Sequence, residues 1–151
     1  MTLMNDNNTV NDFSLWTALV TPFDEHGHVD YDTLAQLADE QAAAGNGLLL
    51  LGSTGEGLAL NINEQEKIVR FVCDHQPKTP IMVAVGGYNL TQQISWIEFC
   101  NELPIDAYLL AAPLYAKPGP VGQELWFRAL LQASKFPCML YNVPSRSGVD
   151  L

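Results

Sequence analysis

The sequence contains 151 residues, 48% of them hydrophobic, which is enough for one folded domain with a substantial core. Only 16% of the residues are charged, against about 25% in an average soluble protein, so we predict that an extensive interface buries part of the surface. Because 17 acidic residues outnumber seven basic ones, giving a net charge of −10, we predict no nucleic-acid partner and no membrane partner.

Residues 1–13 and the cysteines bear on the cellular compartment of the protein. The opening MTLMNDNNTVNDF has neither a basic start nor an apolar core of signal-peptide length, so we predict a flexible leader before a folded part at 14–151. No run approaches the roughly 20 apolar residues of a membrane span. Cys73, Cys100 and Cys138 form no CxxC pair and lie in apolar stretches, as expected of buried thiols in a reducing cytoplasm.

From residue 14 onward, short apolar runs alternate with helical patterns. The runs predict five strands, at 15–23, 47–52, 80–85, 106–112 and 138–143. The patterns predict four helices, which begin at Asp30, at Asn63 in a capping box with Glu66, at Thr91 and at Val121. Gly45 is the predicted C-cap of the first helix.

The order of these elements predicts an α/β fold. Strict alternation indicates parallel strands joined by right-handed crossovers, in a doubly wound sheet or in a barrel. Polar or glycine-containing segments follow every strand, and they begin at Thr21, Ser53, Gly86, Tyr115 and Tyr141. A (β/α)8 barrel carries function at the carboxyl ends of all its strands, whereas a doubly wound sheet concentrates it at one switch point. The TIM barrel is therefore favoured.

The GSTGEG loop, residues 52–57, invites comparison with phosphate motifs. It lacks the GK[ST] ending of a P-loop, and Gly55, Gly57 and Leu60 do not complete a dinucleotide fingerprint. Its small residues allow backbone N–H groups and two hydroxyls to approach an anion, which suits a carboxylate. The alternative is a tight turn from strand to helix that binds nothing.

Other side chains have both a functional and a structural interpretation. Tyr115 and Tyr141 could transfer protons, or could be amphipathic residues at the rim of a barrel. Arg146 could lie on the surface, or could clamp a carboxylate with its planar guanidinium. The histidines of DEHGHVD, residues 24–30, have no third spaced ligand, so a structural turn is preferred to a metal site.

Three motifs in chain order resemble one known family: GSTGE at 52–56, PLYAKP at 113–118 and YNVPSRSG at 141–148. Together they resemble the dihydrodipicolinate synthase branch of the pyruvate-dependent aldolase superfamily, which also contains N-acetylneuraminate lyase. The resemblance runs from Leu15 to the last residue. GSTGE occurs across the superfamily, whereas Arg146 resembles the arginine with which the synthase branch binds the carboxylate of aspartate semialdehyde.

The resemblance implies a lyase with a (β/α)8 barrel that condenses pyruvate with aspartate semialdehyde to 4-hydroxy-tetrahydrodipicolinate, on the route to diaminopimelate and lysine. It implies that pyruvate forms a Schiff base with a lysine and that the resulting enamine attacks the aldehyde. No metal and no cofactor is expected, since pyruvate is itself the covalent substrate. The complete enzyme is expected to be a homo-oligomer, either a dimer or a tetramer.

By position, the resemblance implies roles for individual residues. Gly52, Ser53 and Thr54 hold the pyruvate carboxylate, with Ser53 in place of the family's more usual threonine. Tyr141 shuttles protons with Ser53, since phenol and hydroxyl groups can act as acid and base without a charge of their own. Tyr115 completes this relay from the neighbouring subunit of a dimer.

The resemblance implies that the Schiff-base lysine belongs on a sixth strand, after the five predicted here. Of the four lysines, only Lys117 follows a strand on the catalytic side, and its proline-flanked loop offers nothing to desolvate an amine. We therefore expect the N-terminal half of an enzyme of about 250 residues or more, inactive in isolation. The alternatives are N-acetylneuraminate lyase or another 2-keto acid aldolase, and an inert, self-associating half-barrel.

Overall fold

The structure, a computed structural model, describes residues 13–151, so the predicted leader lies outside the described part except for its last residue. Strands and helices alternate along this part of the chain. The strands are β1 (Trp16–Ala18), β2 (Gly47–Leu50), β3 (Ile81–Val85), β4 (Ala107–Ala111) and β5 (Cys138–Tyr141). The helices are α1 (Tyr31–Ala43), α2 (Ile62–His75), α3 (Leu90–Cys100), α4 (Pro120–Ala133) and α5 (Pro144–Ser147).

The five strands form one parallel sheet, whose spatial order β1-β2-β3-β4-β5 is also their order along the chain. A doubly wound sheet needs a reversal of strand order, and this sheet has none. Because every crossover runs in the same direction, the helices lie on one face and leave the other for a barrel interior. The predicted barrel architecture, with five strands in this chain, is therefore confirmed.

Successive residues of each strand point to opposite faces of the sheet. On the helix-covered face the core side chains are at most 2% exposed, and they include Leu48, Leu50, Val83, Tyr108 and Leu110. The opposite face carries the side chains that line a cavity, among them Ala18, Leu49, Met82, Ala84, Leu109 and Met139. The ring of Trp16 packs closely against Gly47. A Cβ atom on residue 47 would stand 2.6 Å from this ring, so only glycine fits at that position.

The start of α1 agrees with the sequence, while its end is shifted. Asp30 is the N-cap as predicted, because its Oδ1 accepts a hydrogen bond from the backbone N of Thr33 at 3.0 Å. The C-cap is Ala44 instead of Gly45. Gly45 follows at a φ of +76°, a conformation that glycine adopts without steric cost.

The predicted capping box of Asn63 and Glu66 is wrong. α2 begins two residues earlier, where the side chain of Asn61 accepts from the backbone N of Glu64 at 3.1 Å and Glu64 accepts in return at 2.9 Å. Both pairs have the spacing of a capping box, so the sequence does not separate them. When α2 begins at this earlier position, the side chain of Gln65 can donate to two carbonyls of the preceding loop. These hydrogen bonds stabilise the earlier start of the helix.

Two other boundaries and the number of helices also differ from the prediction. α3 begins at Leu90, one residue before the predicted Thr91, because the side chain of Asn89 caps it by accepting a hydrogen bond from the backbone N of Gln92. β1 is shorter than predicted, since the chain after it turns into an antiparallel bridge between Phe23 and Val29. The fifth helix, α5, was not predicted, because four residues beginning with Pro144 are too few to show a helical period.

The cysteines are free thiols in the described part of the chain, with Cys73 and Cys100 buried and Cys138 half-buried. Burial raises the pKa of the Cys73 thiol to about 11, and it also raises the pKa of Cys100. These thiols are therefore protonated members of the core at neutral pH. Within residues 13–151, no helix is long and apolar enough to cross a bilayer.

Candidate functional site

A cavity of about 900 Å³ opens at the carboxyl ends of the strands. Cavities of about 300–1,000 Å³ are typical of small-molecule sites. The walls are the inward side chains of the sheet, the segments that follow β2 to β5, and residues of α2 and α3, among them Ser95. The structure brings five of the six site residues expected from the sequence to this cavity: Gly52, Ser53, Thr54, Tyr141 and Arg146. It does not bring Tyr115 there.

The GSTGEG loop leaves β2 in a strained conformation. Leu51 and Glu56 have φ angles of +59° and +53°, a backbone region that residues other than glycine rarely adopt. Between these two positions, the exposed residues Ser53 and Thr54 face the cavity. Strain of this kind costs about 1–3 kcal/mol per residue and persists only where the surroundings enforce it.

Contacts with neighbouring backbone and with one side chain hold the GSTGEG loop in this conformation. A Cβ atom on Gly55 would stand 2.7 Å from the carbonyl oxygen of Leu19, and one on Gly57 would overlap with the carbonyl of Leu51. The hydroxyl of Thr21 donates to Gly55 O at 2.6 Å. These contacts explain why the loop needs glycine at its fourth and sixth positions.

Two side chains that brace this loop were not among the expected site residues. Thr21 is one, although its place directly after the first strand was visible in the sequence. Gln65 is the other: its Nε2 donates to Gly57 O at 2.8 Å and to Leu60 O at 2.9 Å. No sequence signal identified Gln65, because its role depends on where α2 begins.

Arg146 approaches the GSTGEG loop from the opposite edge of the sheet. Its Nη1 donates a hydrogen bond of 2.9 Å to Ser53 Oγ, although the two residues are 93 positions apart. Helix α5 holds Arg146 in place through Ser147, which is 3% exposed and whose hydroxyl donates to Val143 O at 3.1 Å. A positive charge therefore lies beside the neutral hydroxyl of Ser53, an arrangement that can receive a carboxylate.

Tyr141 is the last residue of β5 and pairs in register with Ala111. Its side chain lines the cavity, and the residue is 42% exposed. Within the described residues, no hydrogen bond joins Tyr141 to Ser53, whose hydroxyl accepts from Arg146 instead. These two hydroxyls are thus not in direct contact, and the proton relay expected from the sequence stays a prediction.

The same arrangement of sheet and loops occurs in known proteins. The family model for the dihydrodipicolinate synthetase family matches residues 13–151. The chain belongs to this family.

Relatives of this family member extend well beyond the matched region. The 4-hydroxy-tetrahydrodipicolinate synthase of Francisella philomiragia is 51% identical over 137 residues, which are 91% of this chain and 46% of that protein. A dihydrodipicolinate synthase structure from Bacillus anthracis gives a TM-score of 0.87 at 32% identity, covering 91% of this chain and 48% of that one. A prophage protein of the dihydrodipicolinic acid synthase family from E. coli K12, solved in complex with pyruvate, gives a TM-score of 0.87 at 30% identity, covering 92% and 47%. The chain spans about half the length of the relatives it matches.

In this family member, Tyr115 lies away from the cavity. The residue is 94% exposed and has a φ of +65°, and it is not among the residues that line the cavity. The loop around it is held by the backbone N of Leu114, which donates to Gly87 O at 2.9 Å. Its expected action from a neighbouring subunit stays a prediction.

The DEHGHVD stretch of the family member forms a turn around one carboxylate. Asp24 Oδ1 accepts hydrogen bonds from the backbone N of His26 at 2.9 Å and of His28 at 2.8 Å. The bond from His28 is the main reason why the pKa of Asp24 is lowered. The carboxylate is thus used by the turn, as in the structural interpretation of this stretch.

Proposed function

We propose that this family member is part of an enzyme that condenses pyruvate with aspartate semialdehyde to 4-hydroxy-tetrahydrodipicolinate, in the biosynthesis of diaminopimelate and lysine. The observation that carries the proposal is the contact of Arg146 with Ser53, 2.9 Å long, in a cavity of about 900 Å³. The reaction joins two substrates that each bear a carboxylate. Two relatives support it, since the Francisella protein is named as the synthase of this product and the prophage protein was solved with pyruvate.

The GSTGEG loop is the proposed site for the pyruvate carboxylate. Ser53 and Thr54 offer two hydroxyls at the cavity surface, and Gly52 has no side chain to cover the backbone. A carboxylate is small and accepts several hydrogen bonds, so a loop of hydroxyl and N–H donors suits it. The rigid base of the loop fixes these donors before the ligand binds, which lowers the entropic cost of binding.

Arg146 is the proposed partner of the second carboxylate, that of aspartate semialdehyde. Its guanidinium has five N–H donors, and the hydrogen bond to Ser53 uses one of them. The remaining donors can bind a carboxylate in a bidentate manner. A site for a second carboxylate favours the synthase over a lyase that acts on a neutral sugar aldehyde.

Tyr141 is the proposed proton carrier. Formation of the imine from pyruvate and an amine releases water, and the leaving hydroxyl needs a proton. The enamine forms when the pyruvate methyl group loses a proton, and the aldehyde oxygen gains one when the new carbon–carbon bond forms. The phenol of Tyr141 lies in the cavity where such protons would move, and a neutral phenol can both donate and accept.

The imine requires a lysine, and we infer that none of the four lysines in this sequence supplies it. Lys67 lies on α2, and Lys78 precedes β3 at the other end of the sheet. Lys135 forms an ion pair of 2.6 Å with a glutamate. Lys117 is exposed and packs over Gly148, outside the lining of the cavity. The imine itself withdraws electrons for enamine formation, so the proposed chemistry requires no other cofactor.

Tyr115 is proposed to act in a homodimer. Its side chain is almost fully exposed, and large exposed aromatic residues commonly contact a partner. A second copy could therefore receive Tyr115 in its own cavity, next to Tyr141. The low share of charged residues, 16%, is consistent with an extensive interface.

Pyruvate binding tests the proposal directly. We expect pyruvate to shift the backbone NMR signals of residues 52–57 in the 151-residue chain. The variant Ser53→Ala should weaken this binding about tenfold, because a lost hydrogen bond to a charged group costs about 1.5 kcal/mol. Ser95→Ala, which changes another serine of the cavity wall, is the matched control and should bind like the parent. Equal binding by the parent and Ser53→Ala would contradict the proposed carboxylate site.

Reductive trapping tests the assignment of the lysine. Borohydride reduction in the presence of pyruvate, read by intact mass, should give no adduct with this chain. An adduct that maps to Lys117 and disappears in Lys117→Arg would show that the chain makes its own imine, and would overturn the inference about the lysines.

A further inference from the structure

The contact between Thr21, three residues after β1, and the GSTGEG loop has a role that the proposed function does not use. Thr21 is 7% exposed and does not line the cavity. Its Oγ1 nevertheless donates to Gly55 O at 2.6 Å, within the loop proposed to bind a carboxylate. The buried Thr21 thus connects the segment after β1 to the GSTGEG loop, which follows β2.

One peptide group transmits this contact to the loop surface. The carbonyl of Gly55 and the N–H of Glu56 belong to the same planar unit, so fixing one end fixes the other. The carbonyl is held by Thr21, and the N–H of Glu56 donates to Ser53 O at 3.3 Å. The hydroxyl of Thr21 therefore sets the orientation of the peptide that holds Ser53.

The loop needs such a contact because its backbone is strained. Leu51 and Glu56 hold positive φ angles on either side of Ser53 and Thr54. Residues in this conformation relax unless neighbouring contacts prevent it. Thr21 supplies a contact that is short, buried and hydrogen-bonded, and its β-branched side chain has few alternative rotamers.

We propose that Thr21 is a positioning residue for the carboxylate-binding loop, holding Ser53 and Thr54 toward the cavity through the Gly55–Glu56 peptide. Thr21 does not touch the ligand. Its effect on affinity rests on the proposed function, whereas its effect on the loop itself does not. The two effects can be measured separately.

The test compares Thr21→Val, Thr21→Ser and Thr17→Val. Valine keeps the shape of threonine but leaves Gly55 O without its donor, while serine keeps the donor. Thr17 is the matched control, because it lies on β1 four residues before Thr21 and its hydroxyl donates to Gln41 Oε1 at 2.8 Å, away from the loop. Thr21→Ala, which leaves space for a water at Gly55 O, serves as the second variant if Thr21→Val does not fold.

The first readout is amide hydrogen exchange of residues 53–57 without ligand. We expect exchange to be about tenfold faster in Thr21→Val, and unchanged in Thr21→Ser and Thr17→Val. Exchange in β3 should not change in any variant. If Thr21→Val and Thr17→Val give the same exchange in the loop, the positioning role is refuted.

The second readout is pyruvate affinity by NMR titration. We expect Thr21→Val to bind about fivefold more weakly and Thr21→Ser to bind like the parent. Parent-like affinity in Thr21→Val, together with a loosened loop, would refute the link between loop position and binding. If the parent chain binds no pyruvate, the proposed function fails, and the exchange data still decide whether Thr21 positions the loop.

Discussion

Two neighbouring leucines on β4 show how different the two faces of this sheet are. Leu110 points toward the helices and is fully buried, while Leu109 points into the cavity and is only half-buried. Both have the same chemistry and lie next to each other in the chain. The core that stabilises this chain therefore lies on the helix side, while the cavity side is left accessible to a ligand.

Polar groups follow the same division. On the helix side, the hydroxyl of the fully buried Tyr108 lies 3.0 Å from Ile97 O, and burial raises the pKa of the phenol. On the cavity side, Ser53, Thr54 and Arg146 are exposed. Polar groups of the helix side thus find their partners within the chain, whereas those of the cavity side are available to an incoming molecule.

Truncation of the two leucines should change stability more than any other substitution considered below. Leu110→Ala should lower the free energy of unfolding by about 3 kcal/mol, since it opens a cavity in a close-packed core. Leu109→Ala should cost about half as much or less, because its side chain already borders open space. Urea denaturation measures both, and equal losses in the two variants would remove the distinction between the faces.

The next effect is a loss of stability at alkaline pH from the thiols on the helix side. Burial disfavours the thiolate and so raises the pKa of Cys73 from its ordinary value of 9.0 to about 11 in the folded chain. Between pH 9 and pH 11 the unfolded chain loses the proton of this thiol while the folded chain keeps it. The contribution of the thiol to the free energy of unfolding is therefore fully present below pH 9 and is lost as the pH rises above it. The slope is about 1.4 kcal/mol per pH unit for one such thiol.

Urea midpoints measured from pH 7 to pH 10 check this expectation. Cys73→Ala should reduce the alkaline slope, while the burial of Cys100, whose pKa is also raised, should preserve part of it. The comparison uses slopes, so the packing loss caused by the alanine does not interfere. An unchanged slope in Cys73→Ala would mean that this thiol ionises equally in both states.

A smaller effect is expected from Tyr108→Phe. The change removes a hydroxyl that donates on the helix side, and we expect a loss of about 1 kcal/mol, because the carbonyl of Ile97 keeps its helix partner Asn101 N at 2.8 Å. Tyr88→Phe is the control, since Tyr88 is 77% exposed and should be neutral. Urea denaturation at pH 7 separates the two. A neutral Tyr108→Phe would show that the buried hydroxyl adds nothing to stability.

The smallest effect on stability is expected on the cavity side. Arg146→Lys keeps the charge on an exposed residue, so the free energy of unfolding should change by less than about 0.5 kcal/mol. Binding of succinic semialdehyde, which carries an aldehyde and a carboxylate, should nevertheless weaken about fivefold, because lysine lacks the planar fork. Arg128→Lys on α4 is the control for both measurements. If Arg146→Lys lost stability but bound succinic semialdehyde as the parent does, Arg146 would contribute to the fold and not to binding.

The sequence predicted the sheet better than the ends of its helices. The apolar runs of β2 to β4 and the turns between them are local signals, and they place each strand within one or two residues of its position. Asn61 and Asn63 carry equal capping signals, and the choice between them depends on the contacts that Gln65 makes with the GSTGEG loop and the residues after it. Helix α5 is too short to leave a periodic signal.

The barrel type and five of the residues that face the cavity could be predicted from the sequence. Hydrophobic periodicity assigns each residue to a face, and parallel strands bring their carboxyl ends to one edge, so Ser53, Thr54, Tyr141 and Arg146 had to come close. Which of these residues touch became visible only in the folded chain. Arg146 and Ser53 are 93 positions apart, and the hydroxyl of Thr21 reaches Gly55 across the boundary between two strands. Such contacts depend on where two separate segments end in space, and a local pattern carries no information about that.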